Sequence, residues 1–139
     1  MAAAFNLSPL TDALQSDERI AAAVLFGSFA RSTARVDSDV DIGVLYASDA
    51  ARAKVDRELL SVLGRLGQAA GRDVHSVDLA TVDSALMRSI IATGKTLFDR
   101  GGNRLRDLKV KAMIEYFDWE YARRVIDAGH RRRLLKTDG

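Results

Sequence analysis

Two apolar runs, Arg19 to Phe26 and Asp39 to Tyr46, constrain this chain most, because each is broken at one end by residues that do not belong in a core. The first run stops at Gly27-Ser28, a small-residue turn. The second opens on Asp39-Val40-Asp41, two acids at a spacing of two. In a strand that spacing puts both side chains on one face, so two carboxylates converge where a buried strand begins. Like charges brought together repel unless something positive lies between them, and a divalent cation is the commonest partner. These acids at the mouth of a buried strand mark a candidate site, and the order of elements around them predicts an α/β fold.

The flanking pattern agrees with such a fold. Ser8 is placed as N-cap of a short helix through Gln15, and Ser28 to Thr33 reads as a helical turn after the first strand. Ser48 caps a helix on which Val55, Leu59, Val62, Leu63 and Leu66 recur at helical spacing, with Gly64, Gly67 and Gly71 fraying its end. Asp73 to Leu79 alternates as a strand, Asp83 opens a helix through Ala92, and Lys95 to Phe98 makes a short edge strand. The predicted order to that point is αβαβαβαβ. Gly101-Gly102 marks a joint, giving a domain over 1–102 and a C-terminal helix and basic tail over 103–139 packed on it. On that helix, Val110, Ile114, Phe117, Tyr121, Val125 and Ala128 form one apolar stripe, widened by Met113, Tyr116 and Trp119. One stripe suffices to close over a sheet, and the extra aromatic width suits a protein partner.

With 139 residues the chain fits one domain, and its lack of cysteine excludes disulfides and thiolate metal sites. The start, Met1 to Asn6, has no basic segment, no apolar stretch reaches spanning length, and a cytoplasmic location is expected. Net charge is +2. Ten Lys/Arg stand against six Asp/Glu from Asn103 onward, so the basic excess is C-terminal. Arg131-Arg132-Arg133 with Lys136 reads as a solvated helix end before it reads as a nucleic-acid patch.

Gly27-Ser28, ten further residues and Asp39-x-Asp41 together resemble the polymerase-β-like nucleotidyltransferase superfamily. More narrowly, the run from Phe26 to Leu45 looks like the minimal nucleotidyltransferases that pair with a HEPN-domain toxin, the MntA-type antitoxins. The resemblance covers residues 19 to about 100. It implies a small mixed sheet flanked by helices, with a long C-terminal helix, and a Mg²⁺-dependent transfer of AMP from ATP to a toxin hydroxyl, tyrosine by analogy. A hetero-oligomer with the toxin, without nucleic acid or membrane, would follow. Antitoxin action by binding alone, with a weakened site, is the alternative, and a small-molecule nucleotidyltransferase is a third.

Each part of the motif has a physical reason. Gly27 lets the backbone approach a triphosphate, and Ser28 can donate to its oxygens at a helix N-terminus, while Arg31, one turn on, reads equally as a further phosphate contact or as a surface arginine. Asp39 and Asp41 can hold two Mg²⁺, stabilising an in-line displacement at phosphorus. Ser38 is assigned to a turn or cap. The sequence departs from the family pattern twice. Ser32 stands where glycine commonly follows the Ala-Arg pair, and the predicted register puts His75 where the superfamily has its third carboxylate. A bulge or another register would bring Asp78 there instead. We assign Asp78 as third acid and metal ligand, with His75 as its rival and a candidate general base.

Overall fold

The computed structural model describes residues 6–35 and 37–137, with side chains to residue 129. Among the described residues nine elements follow in order: α1 (Ser8–Gln15), β1 (Ile20–Phe26), β2 (Val40–Tyr46), α2 (Asp49–Arg57), α3 (Leu59–Ala70), β3 (Val74–Asp78), α4 (Ser84–Thr93), β4 (Lys95–Asp99) and α5 (Arg104–Thr137). The strands make one sheet in the order β3-β2-β1-β4. β1 runs antiparallel to both β2 and β4, whereas β2 and β3 are parallel, so the sheet is mixed. That parallel pair requires a crossover, which α2 and α3 supply.

Strand alternation divides the core between the two faces of the sheet. Leu10 and Leu14 of α1, Val55 of α2, and Val62 and Leu66 of α3 pack with Ile20, Leu25, Val40 and Ile42 on one side. Met87 and Ile90 of α4, with Leu105 and Ala112 of α5, pack with Ala22, Val24, Leu45 and Leu79 on the other. Helices therefore cover both faces, an arrangement that buries a sheet with little charge in it. Among the described residues no helix is long and apolar enough to cross a membrane.

Several local expectations change. The cap of α1 is Leu7, without a side-chain hydrogen bond, and Ser8 is the first helical residue, its amide donating to Asn6 Oδ1 at 3.1 Å. Ser48 does cap α2, its hydroxyl accepting from the Ala51 amide at 3.1 Å. The helix expected to continue from there divides at Glu58, whose φ of −108° and ψ of 17° leave the helical range. Arg19 Nη1 meets Glu58 Oε2 at 2.7 Å, a tertiary contact placed at that break. Gly64 and Gly67 stay helical, and only Gly71, at φ +68°, ends α3. Among the described residues between β1 and β2 there are turns and no helix.

The largest change concerns α5. The predicted stripe does not pack on the body: Val110, Ile114, Phe117, Tyr121 and Val125 are all exposed. The packing side is Leu105 and Ala112, with Leu108 and Tyr116 partly covered, again at helical spacing but on another face. Arg88 of α4 stacks over the Tyr116 ring at 4.2 Å and helps hold that side down. The side chains of His130 onward, including Arg131 to Arg133 and Lys136, lie outside the described residues, as does the Met1 to Phe5 segment.

Candidate active site

The site forms where β1 ends and β2 begins. Antiparallel register sets Phe26 opposite Asp41, so Gly27 leaves β1 directly beside the second acid. A Cβ at Gly27 would run into Asp41 Oδ2, and the residue sits at φ +74°, so both space and backbone conformation call for glycine. The chain then turns back on itself. The Arg31 amide donates to the Gly27 carbonyl at 3.1 Å, and the Thr33 amide donates to the Ser28 carbonyl at 2.9 Å. Successive turns, not a helix N-terminus, stand where the sequence predicts a phosphate cradle. Ser32, the departure from the family pattern, takes φ +60°, the left-handed region where glycine is favoured. Arg31 is exposed, its Nε donating to the Gly27 carbonyl at 3.4 Å, and its charge acts on Asp41. Ser38 is a turn residue, its hydroxyl accepting from the Arg35 amide at 2.7 Å.

Parallel pairing brings the third group. Asp41 is opposite His75, and the register then runs without interruption to Val44 opposite Asp78. His75 Nε2 lies 3.5 Å from Asp39 Oδ2, and its Nδ1 lies 3.9 Å from Asp41 Oδ1. The structure thus gathers Asp39, Asp41 and His75 beside the Gly27-Ser28 turn. Asp78 is not among them. It lies three positions further along β3, where its Oδ2 is 2.6 Å from buried Arg52 Nε and its Oδ1 accepts from the Ala80 amide at 3.0 Å. The Arg52 contact is an ion pair rather than an aligned hydrogen bond. The bulge that would have carried Asp78 into the site is absent, so its assignment as third acid is corrected. Arg52 had no signature in the sequence, since a charged residue in the first turns of a helix reads as solvated until the strand beneath it is known.

Burial pushes the Asp41 carboxyl above its usual range. His75 opposes that rise, Asp39 adds to it, and Arg31 opposes it. Ionised together, Asp39 and Asp41 offer oxygen ligands at a half-open mouth. Among the described residues no three His, Cys, Asp or Glu side chains form a metal-holding group. Asp39 and Asp41 are the carboxylates here that would hold a Mg²⁺, an ion that keeps water and phosphate oxygens and is held by one or two carboxylates rather than by a closed protein cage.

The sequence profile of the polymerase beta nucleotidyltransferases matches residues 9–102. The chain belongs to this family. Solved structures agree with the assignment of this nucleotidyltransferase. A toxin–antitoxin structure with AMP-PNP is 25% identical, with a TM-score of 0.65, covering 88% of this chain and 96% of that one. A mutant of the MntA–HpeT toxin–antitoxin pair is also 25% identical, with a TM-score of 0.63 and coverage of 88% and 95%. The complex of a tri-AMPylated Shewanella oneidensis HEPN toxin with its MNT antitoxin shares the fold at 23% identity, with a TM-score of 0.58 and coverage of 87% and 92%. No curated protein matches the sequence.

Proposed function

We propose that this nucleotidyltransferase is the antitoxin of a toxin–antitoxin pair and transfers AMP from ATP to a hydroxyl of a HEPN-type toxin, with tyrosine as the acceptor suggested by family resemblance. The observation that carries the reading is the register pair Phe26 and Asp41, which joins a turn suited to phosphate to an acid suited to a metal. The likeness to toxin–antitoxin structures, one holding AMP-PNP and one a tri-AMPylated toxin, supports the partner and the nucleotide.

In this reading the Ser28 hydroxyl and the turn amides bind the triphosphate, while Arg31 adds a positive charge at its edge. Asp39 and Asp41 would hold two Mg²⁺ with the phosphates, which supplies charge neutralisation and a more acidic acceptor hydroxyl. The acceptor oxygen bonds to the α-phosphorus, the bond from that phosphorus to the β-phosphate oxygen breaks, and pyrophosphate leaves. The acceptor's proton passes to His75 or to water. The exposed stripe of α5 offers the toxin a docking face, with Phe117 and Trp119 61% and 59% exposed.

Incubation with labelled ATP, Mg²⁺ and the product of the adjacent reading frame is expected to label that product. Asp39→Ala combined with Asp41→Ala abolishes labelling and leaves the complex intact in size-exclusion chromatography. A second reading, neutralisation by binding alone, is favoured by one observation: a histidine, not an acid, stands beside Asp41 on β3. It prevails if the double variant still protects cells from the toxin.

A further inference from the structure

β3 is an edge strand, and the direction of its backbone can be read from its bonds. The Val40 amide donates to the Asp73 carbonyl at 2.9 Å and the Leu79 amide to the Val44 carbonyl at 3.0 Å. Odd-numbered residues of β3 therefore turn their backbone groups toward β2, and alternation turns those of Val74, itself only 5% exposed, and of the half-buried Ser76 to the side away from β2. Among the described residues β2 alone pairs with β3. Beside the start of that edge runs a cleft of about 590 Å³, lined by Gly64, Gly67 and Gln68 of α3 and by Gly71, Arg72 and His75. His75 lines this cleft and also faces the acid pair, so one residue borders both.

Gly64 bears on what the cleft holds. It lies inside α3, and a Cβ there would meet nothing within 4 Å. Interior packing does not call for glycine at this position, and glycine inside a helix is destabilising relative to alanine. What it supplies is a bare backbone surface on the wall of a cleft whose other side is an unpaired strand edge. Open strand edges accept extended polypeptide through backbone hydrogen bonds, with neighbouring pockets taking the side chains.

We propose that this cleft seats the acceptor: an extended polypeptide segment of the partner that adds to the edge of β3 at Val74 and Ser76, lies against the glycine surface of α3, and presents its hydroxyl beside His75, Asp39 and Asp41. The identity of the occupant as acceptor rests on the transfer reading above. The edge-strand geometry does not, because a partner that only binds would still pair with Val74 and Ser76.

The test uses the full chain with its partner protein. Gly64 is exposed and a Cβ there meets nothing within 4 Å, so Gly64→Leu narrows the cleft, gains helix propensity and is expected to fold with a melting temperature no lower than that of the parent chain. It should raise the KM for the partner protein at least about 10-fold while the affinity for ATP holds, and Gly64→Ala should fall between the two. In hydrogen exchange, the partner should slow the Val74 and Ser76 amides, and Gly64→Leu should weaken that protection. The proposal is overturned if the partner leaves those amides unprotected, if the KM for the partner stays within about twofold of the parent value, or if Gly64→Leu weakens ATP instead, which would make the cleft a nucleotide subsite. Should the parent chain transfer no label, the transfer reading fails by itself, and protection at Val74 and Ser76, present or absent, still decides the cleft.

Discussion

Burial raises the Asp41 carboxyl because its charged form gives up water where Phe26 and Gly27 close over it, and that shift has a consequence for stability. A carboxyl whose folded pKa lies above the unfolded value of 3.8 favours the folded state while protonated. That contribution is complete below about pH 4 and is lost as pH rises through the raised folded value, so ionised Asp41 disfavours folding at neutral pH. In metal-free buffer at pH 7, Asp41→Asn is expected to melt above the parent chain, with the difference vanishing toward pH 3; thermal melts across that range check it. His75 and Asp78 should separate in the same kind of experiment. His75→Ala is expected to lower the transfer rate with little change in stability, since its side chain is 63% exposed. Asp78→Ala leaves the buried Arg52 Nε without its carboxylate, with only the exposed Asp49 still paired to that guanidinium, and should cost about 2 kcal/mol in denaturant titrations while the rate per folded molecule holds. A rate that falls only in Asp78→Ala would return that residue to the chemistry. The acid pair was legible in the chain because strand alternation acts locally. The fate of Asp78 was not, because it depends on pairing β3 with β2 and on an arginine contributed by α2.

At the scale of elements, the strands and most helices follow from apolar period and caps, but the orientation of α5 does not. Its sequence carries two apolar faces, and a period of 3.6 identifies both without saying which one meets the body. Leu105 and Ala112 take the sheet side, leaving Phe117 61% and Tyr121 71% exposed. An exposed aromatic stripe on a 34-residue helix is costly to leave in water and suits a partner. Phe117→Asp with Tyr121→Asp is therefore expected to raise the dissociation constant for the proposed toxin partner at least about 10-fold, with the melting temperature of the free protein unchanged within about 2 °C. Isothermal titration against that proposed partner reads the first effect. A large loss of stability instead would mean that the stripe packs on the body after all. The break between α2 and α3 was hidden for a related reason: the residue that meets Glu58 there, Arg19, is 39 positions away.

For the whole molecule, the open question in the sequence was how a mixed sheet ordered β3-β2-β1-β4 closes, and Arg100 supplies part of the answer. It follows β4 and donates to the carbonyls of Gln15 at 2.7 Å, Asp17 at 2.6 Å and Ile20 at 2.8 and 3.1 Å. Gln15 ends α1, where carbonyls lack helical partners, and Ile20 begins β1, so one guanidinium ties the helix end and the central strand to the edge strand. Its own amide donates to Ala21 at 2.8 Å, and its head lies over the Phe98 ring at 5.2 Å. Charge-assisted bonds of this kind are worth about 1.5–3 kcal/mol each at most, and shared solvent exposure reduces the sum. Arg100→Ala is accordingly expected to destabilise the fold by about 2–3 kcal/mol, a fall of about 6–12 °C in melting temperature. Arg100→Lys should recover less than half of that loss, because an ammonium lacks the planar fork that reaches several carbonyls at once. The clamp sits at the Ile20 end of β1 and the acids at its Phe26 end, about 20 Å away along the strand. Transfer measured well below the melting temperature should therefore be unaffected in both variants, and a matching loss of rate would show that the ends of β1 are coupled.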